Sequence, residues 1–483
     1  MRRGLVRLWA PVAAVVALVL CLAAPLRAQV TDGREAVESL EFEPLEFTPP
    51  VPEKHEVDGV TALLLQDRTL PLVTVIARFR GGYGLFDREW YAAGIGLPSL
   101  LRYGGTTSLA PDSVEELIEY YAMQTSFEAG GVGVGSTLNT LTDNLDVSLD
   151  LWWSLVTSPG FDQEQIDVWR GRQLEGVRRH DDDPGALAYS TFNRLLYGDH
   201  SIGWEMEESD LTPDRVTPAR FQRMHDRIVC RDNMILGFAG DISWEDAADR
   251  VRRLVEAVPP CEEELPAAPV PEIRRGGGVF LVERDLEQAV VIMAHPTSVH
   301  LADDPEYFAA TIGNSILGAG GFSSRIMQRV RSDEGYAYSA SSLWTTPRRY
   351  DGLVGAITRT RPENVVPAVE LILRTMGELR DAPPSAEELK TAVDRIVNGY
   401  VFNFQTPDQI VSRMMLYVSG ELPEDWLERY AEGVQEVTPD DVQEVFAEHL
   451  RPDEMTILVV GDLDRIGRDA LEELGPVTVL DAP

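Results

Sequence analysis

Metal chemistry in a protein most often runs through histidine, whose neutral imidazole is the commonest side-chain ligand. This chain has 7 histidines. His55, His200, His225 and His449 are isolated in the sequence, and His295 and His300 are five apart, off one face of a helix. No His-Glu-x-x-His run occurs. His180 precedes Asp181-Asp182-Asp183-Pro184, which attracts a hard cation weakly and reads more simply as a solvated acidic turn before a helix. Gly318, Gly320 and Gly321 lack the Gly-Lys-Ser/Thr of a phosphate loop and suit a tight backbone approach instead. Ser323 and Ser324 have no paired histidine and acid in the sequence. There remain Arg331 and Tyr338, seven apart. On residue type alone they read as a cation near a helix C-terminus and a tyrosine packed in a core strand.

The elements that must position these residues come twice. Val216-Thr217-Pro218-Ala219-Arg220-Phe221-Gln222, running on to Asp232–Asp241, recurs as Val437-Thr438-Pro439-Asp440-Asp441-Val442-Gln443 and Asp453–Asp462, at a constant offset of 221 residues. Each copy reads as helix, turn, apolar strand and Gly-Asp. Val60–Ile76 and Val279–Ile292 are strand pairs of one kind. One duplicated domain accounts for this. Val73, Val75, Ala77 and Phe79 alternate as a half-buried strand should. Ser113 with Glu116, and Ser385 with Glu388, read as capping boxes, and Val114, Leu117, Ile118 and Tyr121 share one helical face. Long helical stretches are expected near 363–379 and 385–403. The expected class is α+β: two tandem homologous domains, each an antiparallel-rich sheet covered by helices on one face, forming a clamshell.

Composition bounds the remainder. The 483 residues exceed one ordinary core, and 25% charged with 44% hydrophobic is a globular mix. The net charge of −36 argues against nucleic acid and anionic lipid as partners. Lys54 and Lys390 are the only lysines, so nearly every cation is arginine. Arg2, Arg3 and Arg7 precede an apolar run, Leu8–Ala24, and then Pro25-Leu26-Arg27-Ala28, the parts of a secretory leader. Cleavage after Ala28 leaves an exported chain with no membrane attachment, and retention of the run as an anchor is the alternative. The remaining divisions are an extended arm over 29–58, a first domain over 59–258, a Pro/Gly linker over 259–278, a second domain over 279–470 and a tail over 471–483. Cys230 and Cys261 remain after cleavage, and sequence leaves a disulfide and two free thiols equally open.

Gly96-Leu97-Pro98-Ser99-Leu100-Leu101-Arg102-Tyr103-Gly104-Gly105-Thr106 resembles the active-site helix of the pitrilysin/insulinase superfamily, zinc peptidases with an inverted His-x-x-Glu-His motif. Ile316–Arg325 and Val330–Ser339 resemble the signature of that family's C-terminal half. The resemblance spans about 55 to 470, duplication included. On this alignment Ser99 stands at the first histidine, Arg102 at the glutamate and Tyr103 at the second histidine, while Glu175 stands at the third ligand. Serine is a weak ligand, and arginine has no lone pair to give and repels a dication. No general base remains to activate water. The chain by itself is therefore expected to bind no zinc.

The resemblance also implies that Arg331 and Tyr338 face the zinc across a closed clamshell. There the phenol donates to the oxyanion and the guanidinium orients the peptide. Family members divide these duties between two chains. The expectation is an exported subunit of a heterodimeric zinc metallopeptidase acting on peptides, with a zinc-bearing sister chain as partner. A catalytically silent peptide-binding or assembly scaffold is the rival, and a self-sufficient peptidase with another metal site is disfavoured by Arg102. Ser126–Gly135 matches the family's substrate-pairing strand, but its glycines leave open an exposed edge for β-addition or a flexible loop.

Overall fold

The computed structural model describes residues 50–480; the leader over 1–28, the arm as far as residue 49 and the last three residues lie outside them. The alternating segment forms β3 (Leu72–Arg80) within a sheet that also holds β1 (Glu53–Val57), β2 (Val60–Gln66), β4 (Gln124–Ala129), β5 (Gly133–Leu141) and β6 (Met234–Gly240). The order is β1-β2-β6-β3-β5-β4. The second half holds β7 (Gly278–Glu283), β8 (Ala289–Thr297), β9 (Ala337–Trp344), β10 (Gly352–Thr360), β11 (Thr456–Gly461) and β12 (Val477–Leu480), in the order β12-β7-β11-β8-β10-β9. Both sheets are open and six-stranded.

Five strands of each sheet follow one plan. β2 runs parallel to β6 and β7 parallel to β11, and all other pairs among these five are antiparallel. Gly240 closes its parallel pair opposite Gln66, as Gly461 does opposite Glu283. The sixth strands differ. β1 precedes β2 and pairs with it antiparallel, whereas β12 follows everything else and pairs with β7 in parallel. Thus the segment read as an arm ends in a strand, and the one read as a tail contributes another. Residues 259–277 carry no helix or strand, and Cys230 is bridged to Cys261, with the Cα atoms 4.9 Å apart.

Helix starts follow local chemistry. Thr217 and Thr438 cap the repeated helices Pro218–Ile228 and Pro439–His449, accepting from the backbone N–H of Arg220 and Asp441. Ser385 and Glu388 form the expected capping box at the helix Ala386–Tyr400. Ser113 does not form one. The helix Pro111–Tyr120 begins two residues earlier, where proline sets the backbone angle of the first turn.

The expectation of helices on one face only is corrected by the tertiary structure. Val73, Val75, Ala77 and Phe79 enter the core of the first half, as alternation requires, yet Ile76 on the opposite face is 4% exposed and belongs to the core of the second half. That face is covered by the helix Pro407–Ser419, which comes from the second half and lies over β6, β2 and β3. The exchange is reciprocal. The helix Pro184–Tyr197 of the first half lies on β8 and β11, and its Leu187, Ala188, Phe192 and Leu196 pack with Phe280, Val282, Val290 and Ile292. Each sheet is thus sandwiched between its own helices and one from the other half.

Gly237 is where the first of these contacts is closest. A Cβ there would stand 2.6 Å from both Val411 Cγ1 and Met415 Sδ. Gly237→Val is therefore expected to destabilise the chain by about 1–3 kcal/mol, the usual cost of overpacking. A lower denaturation midpoint than wild type checks this, and an unchanged midpoint contradicts the packing.

Candidate functional site

The region around Arg331 is built from interrupted helix. The helix Pro305–Asn314 widens into a π-helical turn at Ser315–Ala319, a short 3-10 turn follows at Gly321–Ser323, and a second π turn spans Met327–Asp333. Such turns displace side chains from regular helical positions and recur at functional sites. The chain then reverses through Gly335, at φ +65°, into the edge strand β9.

Three arginines leave this segment, and their partners decide what each does. Arg325 forks onto Glu388, with Nε and Nη2 donating at 2.6 and 2.9 Å. Arg329 meets Glu378 at 2.6 Å. Arg331 has neither carboxylate nor hydrogen-bond partner among the described residues. Its guanidinium carbon lies 4.8 Å from the ring centroid of Phe322 and 5.0 Å from that of Tyr338. Cation–π attraction holds it there and leaves its N–H groups unsatisfied. Phe322 and Tyr338 are 70% and 73% exposed, so the stack faces solvent. Tyr338 is therefore no core tyrosine, contrary to the reading from residue type alone.

Strand register explains Tyr338. Ser339 pairs with Arg359 and Ala337 with Thr360, so Tyr338 is the extra residue of a β-bulge. A bulge turns a side chain away from the regular alternation. Tyr336 is fixed differently: its ring packs against the core of the second half, and its carbonyl accepts from Thr360 Oγ1 at 2.6 Å and Asn364 Nδ2 at 3.2 Å. Sequence reasoning missed Phe322. Its only signal was a large apolar residue between glycines and serines.

The other predicted residues lie in the first half. Ser99, Arg102 and Tyr103 occupy the last turn and a half of the helix Tyr91–Tyr103. Arg102 forks onto Glu115, Nη2 donating to Oε2 at 3.1 Å and Nη1 to Oε1, and also lies 4.7 Å from the Tyr103 ring centroid. Ser99 is half-buried and Tyr103 exposed. Glu175 turns to Arg179, 2.7 Å away on the same helix, Gln163–Arg179. These residues do not fit a zinc ion: a guanidinium and its own counter-ion stand among them, and no His, Cys, Asp or Glu group of three gathers there among the described residues. No hydrogen bond, ion pair or ring contact joins this set to Arg331 and Tyr338 among the described residues.

Two of the three acids after His180, Asp181 and Asp183, are engaged rather than free for a cation. Asp181 meets Arg284 at 3.2 Å, and Asp183 caps the helix Pro184–Tyr197. The stretch Ser126–Gly135 is a strand hairpin, not a flexible loop, with β4 at the open edge of its sheet. Gly81 and Gly84 donate backbone bonds to Val132 and Gly131, pinning its tip. Among the described residues no helix is long and apolar enough to cross a membrane.

The Arg325–Glu388 fork lies just before the second π turn and carries a pH signature. The guanidinium of Arg325, and then Ser385, hold the Glu388 carboxyl at about 2 against an ordinary 4.5. A depressed carboxylate stabilises the fold above its unfolded pKa, and that contribution is lost as pH falls through the folded value. Glu388→Gln is expected to lower the thermal midpoint at neutral pH, with the difference from wild type closing between pH 4.5 and about 2. Melting curves over that range measure it; a pH-independent difference would remove the ion pair as its cause.

A family profile described as "Peptidase M16 inactive domain" matches residues 215–396. The chain is 27% identical over 334 residues to an uncharacterized zinc protease of Streptomyces coelicolor, covering 67% of this chain and 70% of that protein. It is 18% identical over 406 residues to the non-peptidase homolog YmxG of Helicobacter pylori, covering 83% of this chain and 92% of the relative. Its fold is similar to the crystal structure of a peptidase M16 inactive domain from Pseudomonas fluorescens, with TM-score 0.76 and 23% identity over 85% of this chain and 98% of that one. With the duplicated α+β halves, these likenesses make the chain similar to pitrilysin (M16) family proteins, among them ones described as an inactive domain and a non-peptidase homologue, and its sequence has no zinc motif.

Proposed function

We propose that this chain is the exported, zinc-free subunit of a two-chain peptidase, and that it presents Arg331 and Tyr338 to a peptide held against a zinc-bearing sister chain. The observation that carries this reading is the contrast between the two arginine sites. Arg102 is neutralised by Glu115, whereas Arg331 stands unpaired between two exposed rings. An unpaired fork suits a substrate carbonyl or carboxylate, and an exposed phenol beside it suits a developing oxyanion. Zinc and the general base come from the partner, because Ser99, Arg102, Tyr103 and Glu175 supply neither. The leader and the bridge between Cys230 and Cys261 favour an oxidising compartment.

A silent peptide-binding scaffold is the second reading, and the open edge of β4 favours it. An extended peptide adds to such an edge through backbone bonds alone.

The chain alone is expected to show no peptidase activity, with or without added zinc; turnover by the isolated chain contradicts both readings. In the active pair, Tyr338→Phe should lower kcat by roughly 10²–10³-fold with little change in KM or assembly. Arg331→Lys keeps the charge, loses the planar fork and should impair substrate orientation as well. Ser99→Ala and Tyr103→Phe should leave turnover unchanged. Steady-state kinetics on the co-purified pair decide between the readings: silence in all four variants favours the scaffold, and an effect confined to Ser99 or Tyr103 assigns the wrong half.

A further inference from the structure

His449 is isolated in the sequence but not in the fold. It ends the helix Pro439–His449, which packs against the helix Pro305–Asn314. Its side chain is only 9% exposed, and its Nε2 is shut off from solvent with no hydrogen-bond partner. A buried ring nitrogen without a partner carries a desolvation cost that something must offset. That nitrogen points to Glu306, in the first turn of the facing helix, with Nε2 and Oε2 3.5 Å apart. Glu448 completes the group, and one ligand atom from each of the three lies within 4.8 Å of the others. Among the described residues no other three His, Cys, Asp or Glu side chains gather so closely.

We infer that Glu306, Glu448 and His449 form a binding site for a divalent transition metal of the zinc class, independent of the peptidase helix and of the partner reading above. The donor set is one imidazole and two carboxylates, which suits zinc or cobalt better than the all-oxygen shells of calcium or magnesium. The spacing agrees. Two ligands bonded at about 2.0–2.2 Å to a tetrahedral ion stand about 3.4 Å apart, close to the 3.5 Å between His449 and Glu306. Glu448 is exposed and closes the remaining distance by rotating a surface side chain. The carbonyl end of the helix Pro439–His449 and the strongly acidic surface both favour a cation there. Such an ion clamps two helices, one of which runs directly into the π turn that precedes Phe322 and Arg331. It also qualifies the sequence expectation that this chain alone holds no zinc: the ion would be structural, joining two helices.

The test is a titration of zinc chloride into the leader-free, chelator-treated full chain, followed by calorimetry and by thermal midpoint. One ion per chain and a raised midpoint are expected. Glu306→Gln and His449→Gln should each weaken binding by roughly tenfold or more and abolish the rise. Glu306 lies on the surface, so its amide variant keeps the fold even if the buried histidine variant does not. Ser99→Ala and Glu175→Gln should bind as wild type, and cobalt chloride should give the visible absorption of a four-coordinate nitrogen and oxygen site. No uptake at millimolar zinc, or uptake unaffected by Glu306→Gln, overturns the proposal and leaves His449 and Glu306 as an ion pair only.

Discussion

Reciprocal helix exchange is the constraint from which the rest of this structure follows. An open sheet with one bare apolar face is unstable in water, and each half leaves such a face. The helix Pro407–Ser419 covers that of the first half and the helix Pro184–Tyr197 that of the second. Neither half buries its sheet alone. The Pro/Gly segment between them can therefore be long and irregular without loosening the pair, because the crossed helices tie the halves together. Gly237 gives up a side chain to admit Val411 and Met415, a local cost in strand packing offset by the apolar area the helix buries.

That framework holds two arginine sites in different states. In the first half, Arg102 at the end of the helix Tyr91–Tyr103 is held by Glu115 in a bidentate pair. A guanidinium cannot release its charge at any ordinary pH, so the position is shut to a dication electrostatically, beyond the mere loss of ligands. The second half keeps an open guanidinium. Its neighbours Arg325 and Arg329 are bound to Glu388 and Glu378, which fixes the backbone around it while leaving Arg331 itself available.

A chain with net charge −36 has acids to spare for its arginines, and what sets Arg331 apart is that it lies between two exposed rings. Most arginines here end on carboxylates or backbone carbonyls, and those contacts lie largely at the surface, where each contributes little. Arg331 instead rests on two rings, which orient it without consuming its donors.

Much of this protein follows from residue type and order. The 221-residue repeat specified two like halves, and alternation in β3 specified which residues face the first core. Arg102 and Tyr103 argue against a zinc helix, since charge and donor chemistry belong to residue type and need no coordinates. What the tertiary structure alone decided is whatever depends on residues far apart in the chain. Periodicity along one strand cannot reveal a helix that arrives from more than three hundred residues away, so the burial of Ile76 was not legible. Ser113 looked like a cap, but Pro111 set the helix start locally and more strongly. The bulge at Tyr338 depends on its pairing with β10, and Phe322 gained a role only when the π turns brought it over Arg331. Residue order leaves the pairing of Cys230 and Cys261 open, because separation along a chain does not set separation in space. His449 meets Glu306 from 143 residues away for the same reason: ligand geometry is made by packed helices, and the sequence lists only the atoms they bring together.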